Sequence, residues 1–134
     1  MIALDTSVAV ATFGAWHELH EVARAALTTD SRLTAHTALE TYSVLTRLPE
    51  PFRADPVTAV EFLRRNFATD RLTLDRDAQA GAPDELSALG IAGGAVYDGL
   101  IALTARAAGA ELVSLDRRAA GTYERCGARV RLLR

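Results

Sequence analysis

Four carboxylates of this chain, Asp5, Glu40, Asp98 and Asp116, stand inside or at the end of apolar runs, where a lone charge is costly to fold. Their settings are Ile2-Ala3-Leu4-Asp5, Ala38-Leu39-Glu40-Thr41-Tyr42, Val96-Tyr97-Asp98-Gly99-Leu100-Ile101 and Leu112-Val113-Ser114-Leu115-Asp116, whereas most other acidic residues keep polar company. A fold that buries these runs must bring the charges to a shared polar place or strand them. Clustered carboxylates repel one another unless they are protonated or bridged by cations. Convergence of the four therefore points to hard divalent ions such as magnesium or manganese, and to metal-assisted hydrolysis.

A chain of 134 residues fits one domain spanning 1–134, and a domain of that length buries roughly two-thirds of the surface its unfolded chain exposes. Hydrophobic residues at 49% and charged residues at 24% are ordinary globular proportions. The single cysteine, Cys126, excludes an internal disulfide framework and fits a reducing compartment. The longest apolar stretch, 101–110, is too short for a bilayer and is broken by Thr104 and Arg106; no secretory leader precedes Asp5. The expectation is a soluble cytoplasmic protein without membrane contact. A formal charge of −2 gives no bulk argument for nucleic acid. All 15 basic residues, however, are arginine. The lack of lysine removes Schiff-base and P-loop chemistry, while arginine forks suit phosphate.

Short apolar runs alternate with segments of helical period. Strands are expected at 1–5, 32–35, 72–74, 112–115 and 130–133. Helices are expected at 8–13, capped by Thr6 or Ser7, then at 16–27, 37–48 and from Pro56, with Asp55 as cap. Further helices are read at 95–108, stopped by Gly109, and at 117–125, stopped by Gly127. Between 75 and 94 the pattern is mixed: Asp75, Arg76 and Asp77 read as a solvated loop, and Pro83-Asp84-Glu85 as the start of a short helix ending at Gly90. Strands separated by helices of this length predict an α/β fold with a mainly parallel sheet of four to five short strands covered on both faces. Ligands of such sheets bind beyond the carboxyl ends of the strands. Asp5 and Asp116 close predicted strands, and Glu40 and Asp98 are placed near the starts of their helices, so chain logic brings all four toward one rim.

In this order, the strand-Asp5-Thr6-Ser7 opening, Glu40 in a mid-chain helix, Tyr97-Asp98 opening a late helix, and Ser114-Leu115-Asp116-Arg117-Arg118 after a buried strand resemble the PIN-domain ribonucleases. The resemblance covers nearly the whole chain, and its length and carboxy-terminal segment are similar to the VapC-type toxins of type II toxin–antitoxin pairs. It implies a PIN-like three-layer sandwich and RNA cleavage dependent on one or two magnesium or manganese ions. It implies further that Asp5, Glu40 and Asp98 hold metal and that Asp116 matches the more variable fourth acidic position. Thr6, Ser7 and Ser114 are supporting hydroxyls, with Ser114 in place of the usual threonine. Arg117 and Arg118 are candidates to grip substrate phosphates. A cognate antitoxin holding the enzyme inactive and a homodimer are the implied partners.

Other features carry plainer readings. His36 and Glu40 have a spacing that places two ligands on one helix face, but carboxylates alone suit a hard cation better. His17 and His20 lack the complete zinc-protease motif and read as exposed helix residues. Cys126 beside Gly127 reads as helix-end packing. Phe13, Trp16, Leu19, Phe62 and Phe67 exceed what one sheet face absorbs; any exposed fraction marks a docking surface. Two alternatives to a toxin ribonuclease stand beside it: a housekeeping PIN nuclease of RNA maturation, told apart by the absence of a small upstream reading frame, and a non-catalytic RNA- or protein-binding module that keeps the carboxylates as a structural cation site.

Overall fold

A computed structural model describes residues 1–134. Its elements are β1 (Ile2–Leu4), α1 (Thr6–Phe13), α2 (His20–Ala26), β2 (Ser31–Leu33), α3 (Ala35–Thr46), α4 (Pro56–Asn66), α5 (Arg76–Ala88), α6 (Ala95–Ala107), β3 (Glu111–Ser114), α7 (Arg117–Arg125) and β4 (Arg129–Leu132). The four strands pair in parallel in the order β2-β1-β3-β4. From β1 the chain crosses to β2 on one side, then returns to β3 on the other, so the switch in direction falls at the carboxyl end of β1. Asp5 is the next residue.

Period-two alternation assigns each strand residue a face. Leu4, Leu33 and Val113 join Val8, Ala23, Leu63 and Phe67 beneath α1, α2 and α4. Ala3 and Leu112 join Ile101, Leu103, Leu86 and Tyr123 beneath α5, α6 and α7. These two cores make the three layers. Leu4, Leu33, Leu112 and Val113 are wholly buried, and each such side chain is worth about 1.5–3 kcal/mol of transfer free energy.

Several boundaries differ from the sequence expectation, each for a local reason. The cap of α1 is Asp5, which accepts from the Val8 amide at 3.2 Å; the Thr6 and Ser7 hydroxyls are turned to Glu40 and Asp5 instead. Helix α2 starts at His20 rather than Trp16 because the intervening chain turns back on itself. A Cβ on Gly14 would lie 2.5 Å from the Trp16 ring, so only glycine lets the indole fold over that position. His17 and His20 are half-buried rather than exposed: His17 Nδ1 accepts from the Leu19 amide and His20 Nδ1 meets the Ala11 carbonyl at 2.8 Å.

Thr34 caps α3, accepting from the Thr37 amide at 2.9 Å, so the helix begins earlier than expected and Glu40 falls near its middle. The expected strand at 72–74 is a single bridge between Leu72 and Thr34; Asp75 follows at once as the cap of α5, accepting from the Ala78 amide at 2.8 Å. Asp75, Arg76 and Asp77 thus begin a helix, not a loop. That helix runs through Pro83, which forgoes one bond to the Gln79 carbonyl. Both residues are exposed, so water serves the freed carbonyl. Helices α6 and α7 end at Gly109 and Gly127, whose φ of 68° and 82° suits glycine, and Cys126 is buried as the cap of α7.

Thr34→Ala removes a buried cap at the root of the helix that carries Glu40. We expect a loss of about 1 kcal/mol in a denaturant melt; a change below about 0.3 kcal/mol contradicts this account of how α3 is started.

Candidate active site

Parallel register fixes the centre of the site. Leu4 pairs with Val113, and the Asp5 amide bonds to the Val113 carbonyl at 3.1 Å, so Asp5 and Ser114 leave the sheet side by side. Asp5 is 2% exposed. Its Oδ1 accepts from Ser7 Oγ at 2.5 Å and the Val8 amide at 3.2 Å; its Oδ2 accepts from Ser114 Oγ at 2.5 Å and Tyr123 Oη at 2.9 Å. Burial pushes the Asp5 carboxyl up, while Ser114, Ser7, Tyr123 and Val8 pull it back by hydrogen bonding. Four donors aimed at two oxygens is the arrangement of an anion.

The remaining carboxylates approach from other elements. Glu40, on α3, accepts from Thr6 Oγ1 and lies 3.6 Å from His36 Nε2. Asp116 caps α7 through the Arg118 and Ala119 amides at 3.0 and 3.2 Å. Asp98, on the first turns of α6, is held up above the usual carboxylate range by burial, then by the charges of Asp116, Glu40 and Asp5, with Arg118 opposing; no hydrogen bond to the protein relieves it. A carboxyl raised in the folded state is protonated there at pH values where the unfolded chain is already ionised. Stability therefore falls as pH rises through that window. The cluster works against the fold at neutral pH.

Asp5, Thr6, Ser7, Glu40, Asp98 and Asp116 line one cavity of about 360 Å³, together with Tyr97, Tyr123 and Arg118. Ser114 stands behind it, donating to Asp5 and accepting from the Asp116 amide at 2.9 Å. Arg118 reaches the rim, with its side chain 92% exposed and 3.8 Å from Asp116. Arg117 is exposed but lies outside the cavity lining. In this arrangement no three acidic or imidazole groups close around a single point as ligands. The donor set nonetheless fits a hard cation. It is made of carboxylate and hydroxyl oxygens, and its one unpartnered carboxylate, Asp98, is repelled by three others.

The PIN domain model matches residues 2–124. The chain belongs to the PIN-domain family. Within it the relatives are of the VapC type: the chain is 49% identical over 133 residues to Ribonuclease VapC40 of Mycobacterium tuberculosis, covering 99% of each chain. To Ribonuclease VapC27 of the same species it is 41% identical over 130 residues, covering 96% of this chain and 94% of the relative. The solved structure of FitAB bound to an IR36 DNA fragment superposes with a TM-score of 0.71 at 21% identity, covering 98% of this chain and 94% of that one. The PIN-like fold expected from the sequence is thereby established.

One residue of this PIN protein was not singled out by sequence, and one that was, His36, has a role the sequence did not show. Tyr123 donates to Asp5 from α7, and burial with the nearby Asp5 charge raises its phenol far above ordinary, so it stays a donor. The available signal was its place three and four residues after Ala120 and Ala119, on the apolar face of an otherwise charged helix. His36 stacks on Tyr97, with ring centroids 5.4 Å apart and planes 5° from parallel.

Tyr123→Phe deletes a buried donor to a charged acceptor. A loss of about 2 kcal/mol in thermal or chemical unfolding is expected; a variant within about 0.5 kcal/mol of the parent contradicts the role given to the phenol.

Proposed function

We propose that residues 1–134 act as one PIN-like unit, a magnesium- or manganese-dependent endoribonuclease that is the toxin of a toxin–antitoxin pair and is held inactive by its cognate antitoxin. The observation that carries this reading is the acidic cavity in a VapC-type chain: four carboxylates on one rim, of which Asp98 has no partner and every neighbouring acid raises the cost of its charge. The site of action in this reading is the cytoplasm, where a lone free cysteine such as Cys126 stays reduced.

Asp98, Glu40, Asp5 and Asp116 would hold one or two divalent ions, which when bound lower the pKa of a water and offset charge on the phosphate oxygens. The chain's own residues set the stage for that. Ser7, Ser114 and Tyr123 fix the Asp5 carboxylate. Thr6 orients Glu40. Arg118, exposed at the rim, is placed to meet a substrate phosphate; Arg117 stands outside the cavity and is the weaker candidate. Thr6, Ser7 and Tyr123 each donate to a carboxylate and so serve to hold the acidic cluster. Water activated at the bound ion is the attacker in this reading, and neither a protein nucleophile nor the ribose hydroxyl is required.

Partner surfaces follow from exposed apolar groups. Trp16 and Phe52, 44% and 42% exposed, pack ring against ring at 4.9 Å and offer an aromatic face to an apolar antitoxin segment. Leu39, 69% exposed on α3 beside Leu72 and Leu74, suits a second copy in a homodimer.

Asp98→Asn removes the charge without breaking a hydrogen bond, which makes it a cleaner test than Asp5→Asn. Cleavage of RNA by antitoxin-free protein with magnesium or manganese should drop at least about a hundredfold while the melting temperature holds or rises. Activity equal to the parent would sink the proposal. A single 2′-deoxy substitution at the cut site should still be cleaved; complete resistance, with cyclic phosphate ends on the ordinary RNA, would point to ribose attack instead.

A further inference from the structure

We infer that Tyr97 is a base-stacking residue of the substrate site, and that the apolar groove beyond it takes the nucleobase adjoining the scissile phosphate. This rests on the reading of the acidic cavity as the site of phosphodiester cleavage. A second cavity, about 550 Å³, runs between α5 and α6, and its volume is that of a small-ligand site, roughly 300–1,000 Å³. Tyr97 is the one residue that lines both this groove and the acidic cavity. It is 56% exposed although aromatic. It also directly precedes Asp98, so its ring and the unpartnered carboxylate project from the same turn of α6.

A base is tethered by a single ribose to the phosphates on either side of it. A phosphate held through a cation bridging the carboxylates thus places a base against the wall of the cavity, and Tyr97 is the part of that wall that continues into the groove. His36 covers one face of the ring in a parallel stack, at 5.4 Å and 5°. That brace fixes the ring in advance and lowers the entropic cost of ordering it on binding. Tyr97 keeps 56% exposure despite that stack, which leaves ring surface for a base, and base–aromatic stacking serves every base because each has a π-face. Past the ring, Leu86, Ile91 and Leu100 line the groove, and Gln79 and Ser87 are its only uncharged polar side chains besides Tyr97 itself. No charged group enters this lining. The groove thus suits the base rather than the phosphate, and it divides the nucleotide between two chemically distinct walls. Gln79 and Ser87 are then the side chains able to distinguish one base edge from another.

The test uses the full chain, free of antitoxin, with calcium in place of magnesium so that RNA is bound but not cut, and a short single-stranded RNA carrying 2-aminopurine. Stacking quenches that fluorophore. The wild type and Tyr97→Phe should quench it; Tyr97→Ala should lose the quench and bind at least about tenfold more weakly. His36→Ala should weaken both effects in part. With magnesium, Tyr97→Ala should raise KM more than it lowers kcat. Undiminished quenching and affinity in Tyr97→Ala overturn the inference. So does a loss of affinity accompanied by dissociation of a dimer in sedimentation, which would make a second copy of the chain the groove's occupant. Failure of the cleavage reading shows separately, as wild-type protein inert toward RNA with magnesium or manganese.

Discussion

The Asp5 carboxylate, buried and accepting four hydrogen bonds, is the junction on which the rest of the site depends. Its donors come from three parts of the chain: Ser7 and Val8 on α1, Ser114 at the end of β3, and Tyr123 on α7. A single buried anion therefore caps a helix, ties two adjacent strand ends and fastens the last helix to the sheet. Burying a charge without such partners costs several kcal/mol; with them the charge becomes a point of order. Ser7 extends the tie, accepting from the Leu115 amide at 3.0 Å, and Ser114 extends it to the Asp116 amide.

Asp98 is the counterpart. It faces the same cavity without a donor and is raised by burial and by three like charges. The site thus contains one satisfied carboxylate that organises protein and one unsatisfied carboxylate that invites a cation. Glu40 and Asp116 lie between these extremes, each with one oxygen already bonded to the protein. That division separates residues that the sequence reading treats alike, since the resemblance assigns Asp5, Glu40 and Asp98 the same metal-holding role. It also separates their mutational signatures, since Asp5 is tied to stability and Asp98 to charge.

Much of this was legible in the chain. The apolar runs ending at Asp5 and Asp116 read as strands because buried parallel strands need continuous apolar sequence, and Asp55-Pro56 and Gly109 mark helix ends by backbone rules that need no tertiary context. The sequence failed where two local options competed or where a side chain serves a distant partner. Thr6 and Ser7 are good local caps, yet Glu40 and Asp5 claim their hydroxyls. Pro83 usually starts helices, yet the Asp75 cap begins one seven residues earlier, on an exposed side that tolerates the missing bond. Tyr123 could be read as core from its spacing, but its bond to a residue 118 positions away appears only once β1 and β3 lie side by side.

The central claim is that an unpartnered Asp98 among three other carboxylates makes this cavity a site for a divalent cation. Titration of the antitoxin-free protein with manganese, followed by the electron paramagnetic resonance of the free ion, measures it directly. The account predicts that the wild type takes up one or two ions and that Asp98→Asn, still folded, binds at least about tenfold more weakly. Equal uptake by the two proteins, or none by the wild type, would contradict it.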